Sequence, residues 1–365
     1  MAENENREEI TAPGAADDVY AGCARIISAY RKEMAVRIVG QQEMIDGLLA
    51  AFVAGGHILL EGVPGLAKTL AVKSLAEITG LDFKRIQFTP DLLPADLTGT
   101  MIWEQASGNF SVRRGPVFAN VILADEINRA PAKVQSALLE AMEEKQVTIG
   151  ETSYALPDPF FVLATENPIE HEGTYSLPEA ELDRFLMKLL VVYPQPMEEL
   201  EIVRNSPSLC AHTAYAHTAR AAHGGGKPLS PLLGREALAV MRNAADSVHI
   251  DDEISKYIVS IITATRPPVK ARSGFTAGRT DSAKSAGGVY RYVSFGASPR
   301  ASIALYRCCR IFALFDGRNF VTPQDVKTAA LPVLRHRIVL SYEAEAEGMD
   351  ADAVIARILN HVPVP

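Results

Sequence analysis

Eight consecutive residues have the composition of a phosphate-binding loop. The stretch GVPGLAKT, at 62–69, lies between the apolar run 57–60, which predicts a buried strand, and the amphipathic segment 70–79, which predicts a helix. A glycine-rich turn between strand and helix points several backbone N–H groups at one spot, and the helix N-terminus adds partial positive charge there. Lys68 can then reach the outer phosphates of a nucleotide, and the hydroxyl of Thr69 can ligate Mg²⁺. The alternative is an ordinary strand–turn–helix whose residues match by chance. The residues expected to contact nucleotide are Gly62, Val63, Pro64, Gly65, Leu66, Ala67, Lys68, Thr69 and Leu70.

One position of this loop departs from the usual pattern. Ala67 stands where a glycine is expected before the lysine. Alanine accepts the start of a helix but not a left-handed backbone. We therefore expect the loop to be helical already at Ala67, unless the match is accidental.

A second apolar run ends in two carboxylates. Residues 121–124 are followed directly by Asp125 and Glu126, and neighbouring side chains at a strand end point in different directions. Asp125 would face the magnesium ion, usually through water, and Glu126 would polarise the attacking water as a general base. A strand that ends in a solvated acidic turn is the alternative, which the preceding loop makes the weaker interpretation.

A third apolar run, 160–164, ends close to a polar amide. Asn167 could orient the water and sense the γ-phosphate if its strand ends beside the other two. The alternative is a turn residue before Pro168, which is common.

The composition indicates a chain of two or three domains. Its 365 residues and 48% hydrophobic content are enough to build full hydrophobic cores. Its net charge of -8 argues against a protein that coats nucleic acid, although a local basic patch is possible. Four cysteines form no disulfide framework, the acidic N-terminus is not a signal peptide, and no apolar run is long enough to span a membrane. We expect a cytoplasmic protein.

The order of elements predicts an α/β core followed by helices. We expect a disordered N-terminus at 1–16, a core at 17–204, a linker or insertion at 205–231, and an all-helical domain at 232–365 with a basic, glycine-rich insertion near 267–296. Two hairpins are expected, at 99–116 and 146–156. The predicted core strands are 57–60, 82–88, 120–124, 160–164 and 185–193, and the predicted helices include 19–37, 197–204, 235–247, 251–266, 299–315, 323–337 and 351–361.

Five ordered motifs over roughly residues 35 to 345 resemble the AAA+ ATPases, and within them the MoxR family. They are GVPGLAKT at 62–69, LADEINRAP at 123–131, ATENP at 164–168, GTYSLPEAELDRF at 173–185 and GASPRA at 296–301. The resemblance implies a P-loop core with a parallel five-stranded sheet, a helix-2 insert, a pre-sensor-1 hairpin and an all-α lid. It also makes Ala67 a family trait.

The resemblance assigns further roles to named residues. Lys68 and Thr69 match the Walker A motif, Asp125 and Glu126 the Walker B pair, and Asn167 sensor 1. Arg184 resembles the arginine finger, acting on the nucleotide of a neighbouring subunit, and Arg300 resembles sensor 2, reaching back to the γ-phosphate. Val39 and Gly40 resemble the segment that flanks adenine. Salt-bridged or solvated surface arginines are the alternatives for Arg184, beside Asp183, and for Arg300.

The implied function is ATP hydrolysis with Mg²⁺ in a homo-oligomer, expected to be a hexameric ring. Its work would be chaperone-like remodelling of a protein client, including cofactor or metal insertion, with a von Willebrand factor A domain protein as a candidate partner. Two alternatives are a nucleic-acid motor or transcription regulator of the same branch, and a nucleotide-gated scaffold that does not hydrolyse. The net charge of -8 disfavours the first, and the intact Glu126, Asn167 and Arg184 disfavour the second.

Overall fold

The computed structural model describes residues 16–106, 108–168, 175–205, 229, 231–267 and 289–365. The expected disordered N-terminus lies almost entirely outside these ranges. So do most of the expected 205–231 segment and most of the basic insertion near 267–296.

The core is a five-stranded parallel sheet, whose strands lie side by side in the order Phe83–Gln87, Val121–Asp125, Phe161–Glu166, Ile58–Glu61 and Met187–Leu190. Its central strands are apolar and almost entirely buried, which is typical of a parallel sheet covered on both faces. The strands of the described residues are β1 Ile58–Glu61, β2 Phe83–Gln87, β3 Gly99–Glu104, β4 Asn109–Arg114, β5 Val121–Asp125, β6 Gln146–Ile149, β7 Thr152–Ala155, β8 Phe161–Glu166, β9 Met187–Leu190, β10 Val293–Phe295 and β11 Val339–Leu340.

The helices cover the sheet and build the second domain. They are α1 Ala16–Ala35, α2 Gln42–Ala54, α3 Lys68–Thr79, α4 Pro94–Thr98, α5 Ala132–Glu144, α6 Glu179–Leu182, α7 Pro196–Asn205, α8 Arg235–Ser247, α9 Asp252–Ala264, α10 Pro299–Phe315, α11 Pro323–Leu334, α12 Tyr342–Ala346 and α13 Ala351–His361. Ser298 caps α10 by accepting from the N–H of Arg300, and a proline follows it at the first helical position.

The two predicted hairpins are present. Strands β3 and β4 pair with Trp103 opposite Phe110, and β6 pairs with β7. The Trp103 and Phe110 rings meet edge to face with centroids 5.0 Å apart, yet the residues are 52% and 60% exposed. The first hairpin therefore presents an aromatic pair to solvent.

The second domain is helical with one exception. Strands β10 and β11 form a small antiparallel sheet, so the expectation that every element of this domain is a helix is wrong in this detail. Helix α11 ends at Leu334 and not at the predicted residue 337, and the turn that follows returns the chain to Val293, where β-branched residues favour pairing.

The second domain is anchored at the edge of the sheet where β1 and β9 begin. The Leu186 N–H donates to the His57 carbonyl, which joins the residues preceding these two strands. Arg337, in the turn after α11, donates to the carbonyls of Phe185 and Leu186 at 2.6 and 2.9 Å. Arg337 therefore joins this domain to the residues that precede β9, at the amino edge of the sheet.

Candidate functional site

A cavity of about 530 Å³ lies at the carboxyl edge of the sheet. The 62–69 loop follows β1, Asp125 ends β5, and Asn167 follows β8, and these three strands are neighbours in the sheet. Because parallel strands end at one edge, the three polar clusters meet there, which is the usual ligand position in such sheets. The cavity is lined by Pro64, Gly65, Leu66, Ala67, Lys68, Thr69, Leu70, Lys73, Arg85, Asp125, Glu126 and Asn167.

Ala67 has a left-handed backbone, with φ 57° and ψ 15°. The expectation that the loop is helical at Ala67 is wrong, because α3 begins one residue later at Lys68. A left-handed alanine costs about 1–2 kcal/mol, so the loop stores strain immediately before its lysine.

Two contacts fix the loop against the sheet. A Cβ at Gly62 would lie 2.8 Å from the Val191 carbonyl oxygen, so only glycine fits there. The Lys68 ammonium donates to the Gly62 carbonyl at 2.5 Å and reaches the Glu166 carbonyl at 3.5 Å. Burial lowers the pKa of Lys68, and the nearby carboxylates Asp125, Glu126 and Glu61 act in the opposite direction. The lysine is therefore held by backbone carbonyls at the place where phosphates would bind.

Asp125 is buried and already has a cationic partner. Arg85, on the adjacent strand β2, donates through Nε and Nη2 to Oδ2 of Asp125 at 2.9 and 2.7 Å. The Thr165 hydroxyl donates to Oδ1 at 2.7 Å. Neither Arg85 nor Thr165 was predicted as a site residue, because both contacts depend on which strands pair and in which register.

The donor set suits a magnesium ion. Thr69 and Asp125 both line the cavity and offer a hydroxyl and a carboxylate oxygen, and Mg²⁺ takes few protein oxygens because phosphates and water supply the rest. The arginine already at Asp125 indicates that this carboxylate needs a positive counter-charge.

Glu126 is held in an unusual backbone conformation and its carboxylate is occupied. Its φ is 57° and its ψ 52°, a left-handed conformation that is strained for a non-glycine residue. Its N–H donates to the Thr165 hydroxyl at 2.9 Å, which fixes the strained turn. Gln87 donates to Oε2 of Glu126 at 2.8 Å, and Arg129 lies 3.2 Å from the same oxygen. The sequence analysis identified neither Gln87 nor Arg129 as a partner of Glu126.

Asn167 lies where the sequence placed it. It is 4% exposed and lines the cavity with Lys68 and Glu126. Burial raises the pKa of the adjacent Glu166, and Oε2 of Glu166 lies 3.8 Å from the ammonium of Lys188. The amide is therefore in position to contact a phosphate bound by the loop.

Val39 and Gly40 lie beside the loop but outside the cavity lining. Gly40 has φ 66°, and Gln41 donates to the Val192 carbonyl at 2.7 Å. Val191, the preceding residue, abuts Gly62, so the segment borders the nucleotide side of the sheet. An adenine-flanking role stays a prediction.

Arg184 and Arg300 lie at the opposite edge of the sheet. Arg184 Nε is 3.1 Å and Arg300 Nη2 is 2.6 Å from the two carboxylate oxygens of Glu143, at the end of α5. Both arginines line a cavity of about 230 Å³ together with Gly56 and His57, which precede β1, whereas the loop follows β1. The four residues of β1 span about 13 Å. The expectation that Arg300 reaches the γ-phosphate of its own chain is therefore wrong.

Asp183 explains this placement. Its carboxylate accepts from Arg337 Nε at 2.7 Å and from the Ser298 hydroxyl at 2.8 Å. Ser298 caps the helix that carries Arg300, and Asp183 precedes Arg184. This partly buried carboxylate thus joins the residue before Arg184 to the cap before Arg300 and to Arg337 at the amino edge of the sheet. Arg184 is salt-bridged in this structure, as its alternative interpretation supposed, but its partner is Glu143, and the neighbouring Asp183 pairs with Arg337.

Two features are absent from the described residues. In the described part of the chain, no helix has the length and hydropathy to cross a bilayer. The described residues also hold no cluster of three or more His, Cys, Asp or Glu side chains suited to a metal ion.

Two family models match the chain. Residues 57–187 match the "ATPase family associated with various cellular activities (AAA)", and residues 289–358 match the "AAA lid domain". The first covers the loop, the acidic pair and Arg184, and the second covers Arg300.

Similar proteins span nearly the whole chain. "Chaperone MoxR1" of Mycobacterium tuberculosis is 44% identical over 90% of this chain and 79% of the relative. "Protein MoxR" of Paracoccus denitrificans is 32% identical over 90% of this chain and 93% of the relative. A solved structure from Cytophaga hutchinsonii, named a "putative ATPase", is 45% identical, covers 96% of this chain and 98% of that chain, and superposes with a TM-score of 0.82.

Proposed function

The chain belongs to the MoxR family of AAA+ ATPases, and we propose that it hydrolyses ATP with Mg²⁺ at the contact between two copies and uses the cycle to remodel a protein client. The observation that carries this proposal is the division of the site. Lys68, Glu126 and Asn167 share one cavity, whereas Arg184 and Arg300 lie at the opposite edge of the same chain. Each copy therefore presents the phosphate-binding half of one site at its carboxyl edge and the arginine half of another site at its amino edge.

Head-to-tail contact completes the site. The carboxyl edge of one copy would receive the arginine edge of the next, so that Arg184 and Arg300 both act on the nucleotide of the neighbour. Such contacts are heterologous and close into a ring when the rotation allows it, and we propose six subunits. An arginine supplied from a neighbour in this way is worth about 10³–10⁵ in rate.

The residues divide the chemistry among them. The 62–69 loop and Lys68 would bind the phosphates, and Thr69 and Asp125 would hold a magnesium ion, which supplies positive charge to the β- and γ-phosphates. Glu126 would orient a water for in-line attack on the γ-phosphorus and take its proton, while the bond to the β-phosphate oxygen breaks to leave ADP and phosphate. Asn167 would hold the water or a γ-oxygen.

The resting contacts of Glu126 compete with the attacking water. In this structure Gln87 and Arg129 both contact Oε2 of Glu126, and the positive charge of Arg129 attracts the same carboxylate that would take the proton of the water. We propose that a γ-phosphate at Asn167 and Lys68 draws Arg129 or Gln87 away and frees the carboxylate. Hydrolysis would then wait on bound ATP.

The client is proposed to be a protein. The chaperone name of the Mycobacterium tuberculosis relative supports remodelling, and cofactor or metal insertion beside a von Willebrand factor A domain protein is our finer proposal. The exposed Trp103 and Phe110 pair offers an apolar contact for such a client. The cytoplasm is the proposed compartment, because the reaction uses ATP and the three cysteines of the described residues are free.

The substitution Glu126→Gln tests the proposal. The variant should bind ATP, release phosphate at less than about a hundredth of the wild-type rate, and retain a client as a stoichiometric band in a pulldown with ATP. Lys68→Ala should lose ATP binding and retain no client. If Glu126→Gln released phosphate at the wild-type rate, hydrolysis would not be the function of this site, and the non-hydrolysing scaffold would be favoured. Strong stimulation of the wild-type ATPase rate by DNA would favour a nucleic-acid motor.

A further inference from the structure

The arginine edge carries more positive charge than the proposed reaction uses. Lys145 and Arg307 line the same cavity of about 230 Å³ as Arg184 and Arg300. Glu143 pairs with Arg184 and Arg300. Neither Lys145 nor Arg307 pairs with a carboxylate among the described residues, and both are exposed.

Helix α10 presents this charge on one face. Arg300, Ile303 and Arg307 are spaced three and four residues apart, which places them in a row on one side of the helix. Ile303 is 56% exposed, although it lies between two arginines on a helix whose other side is buried. The row combines an exposed large apolar side chain with two arginines, and arginine is enriched in protein interfaces.

A complementary surface lies at the opposite edge of the molecule. Helix α7 follows β9 at the carboxyl edge, and Glu198 on it contacts Gly40 beside the nucleotide loop. Its side chains Met197, Leu200 and Val203 are 76%, 40% and 66% exposed and recur every three residues. Glu199 and Glu201 on the same helix are exposed as well. Helix α7 also carries the exposed Arg204, so its three glutamates outweigh one arginine. Its surface is therefore net acidic and apolar, whereas the α10 row is basic and apolar.

We propose that Lys145 and Arg307 bind the glutamates of α7 on a second copy of this chain, with Ile303 against the exposed apolar residues of that helix. The inference rests on the proposed function, since it describes how the arginine edge reaches the nucleotide edge. Arg184 and Arg300 contact the phosphates, and Lys145 and Arg307 set the orientation of the neighbour. When two faces of opposite charge meet, the charges guide association and disfavour other contacts. These residues therefore favour head-to-tail pairing over face-to-face pairing, in which like charges would meet.

Charge reversal tests the pairing directly. Assembly is measured by sedimentation with ATP in the Glu126→Gln background, so that turnover does not enter the readout. The double variant Lys145→Glu, Arg307→Glu should raise the concentration for half-assembly at least tenfold, and Glu199→Lys, Glu201→Lys should do the same. Combining all four reversals in one chain should return it to within threefold of the parent.

Controls separate this inference from the proposed function. Lys256→Glu, an exposed reversal on α9, should assemble like the parent. Normal assembly of the Lys145→Glu, Arg307→Glu variant would overturn the inference, and so would failure of the fourfold variant to recover. A parent chain that stays monomeric with ATP would instead overturn the proposed interface site itself.

Discussion

Replacement of Arg337 by methionine should weaken the attachment of the lid to the core. Its side chain is 3% exposed and pairs with Asp183, and its two Nη groups donate to backbone carbonyls that include those of Phe185 and Leu186. Breaking a buried ion pair by removing one partner costs about 3–5 kcal/mol. Because a domain is stable by only about 5–15 kcal/mol, the loss should be large in chemical denaturation followed by circular dichroism.

The same substitution should reduce turnover in the part of the sample that remains folded. Asp183 would lose the contact that fixes it, and with it the positions of Arg184 and of the Ser298 cap before Arg300. We expect ATPase activity to fall towards that of Arg184→Ala. Unchanged turnover per folded molecule would refute the positioning argument, and a stability loss below about 1 kcal/mol would refute the energetic one.

Arg335→Met is the matched control. Arg335 lies in the same turn, pairs with Asp352 at 2.7 Å and donates to the Lys188 carbonyl at 3.2 Å, but it does not contact Asp183. Its loss removes a part-exposed pair and one hydrogen bond, which together are worth about 1–2 kcal/mol, and turnover should not change.

Three further outcomes follow from single side chains. Ala67→Gly should raise the free energy of unfolding by about 0.5–1 kcal/mol. Glycine removes the left-handed strain, and part of this gain is offset because glycine gives the unfolded chain more conformational freedom. A decrease in the free energy of unfolding would show that the loop is not strained. Arg85→Gln should lower by about fivefold the Mg²⁺ concentration needed for tight binding of a fluorescent ATP analogue, because it removes a cation that competes for Asp125. If the variant needs a higher Mg²⁺ concentration, Arg85 assists nucleotide binding. Burial lowers the pKa of His57 to about 4, so its contribution to stability is complete above pH ~6.5 and is lost as the pH falls towards 4. Between pH 7 and 5 the wild type should therefore lose roughly 2 kcal/mol more than His57→Gln, and equal losses in denaturation at the two pH values would contradict the assignment.

The sheet and its phosphate loop were predictable because local patterns encode them. Apolar runs of strand length alternate with amphipathic segments, and polar residues follow three of the runs. The predicted strand 185–193 is shorter in the structure, at Met187–Leu190, and before its start Arg337 of the lid binds the carbonyls of Phe185 and Leu186. The sequence of the strand does not reveal this contact, because Arg337 is 151 positions away from Leu186.

The missed parts of the site depend on contacts between distant segments. Arg85 meets Asp125 across 40 residues only because β2 pairs with β5 in a register that the apolar pattern alone does not select. The position of Arg300 depends on the side of the sheet that the lid covers, which the Arg337 contact to Asp183 decides. The backbone of Ala67 was predicted wrongly because composition alone does not say where the helix begins.

The central claim is that each nucleotide is hydrolysed between two copies of the chain. Its most direct measurement mixes two variants that are inactive alone, Lys68→Ala, which has an intact arginine edge, and Arg184→Ala, which has an intact nucleotide edge. Mixed assemblies contain contacts in which Arg184→Ala binds ATP and the Lys68→Ala neighbour supplies the arginine, so phosphate release should recover to a substantial fraction of the wild-type rate. No recovery at any mixing ratio, in assemblies shown to contain both variants, would contradict the claim.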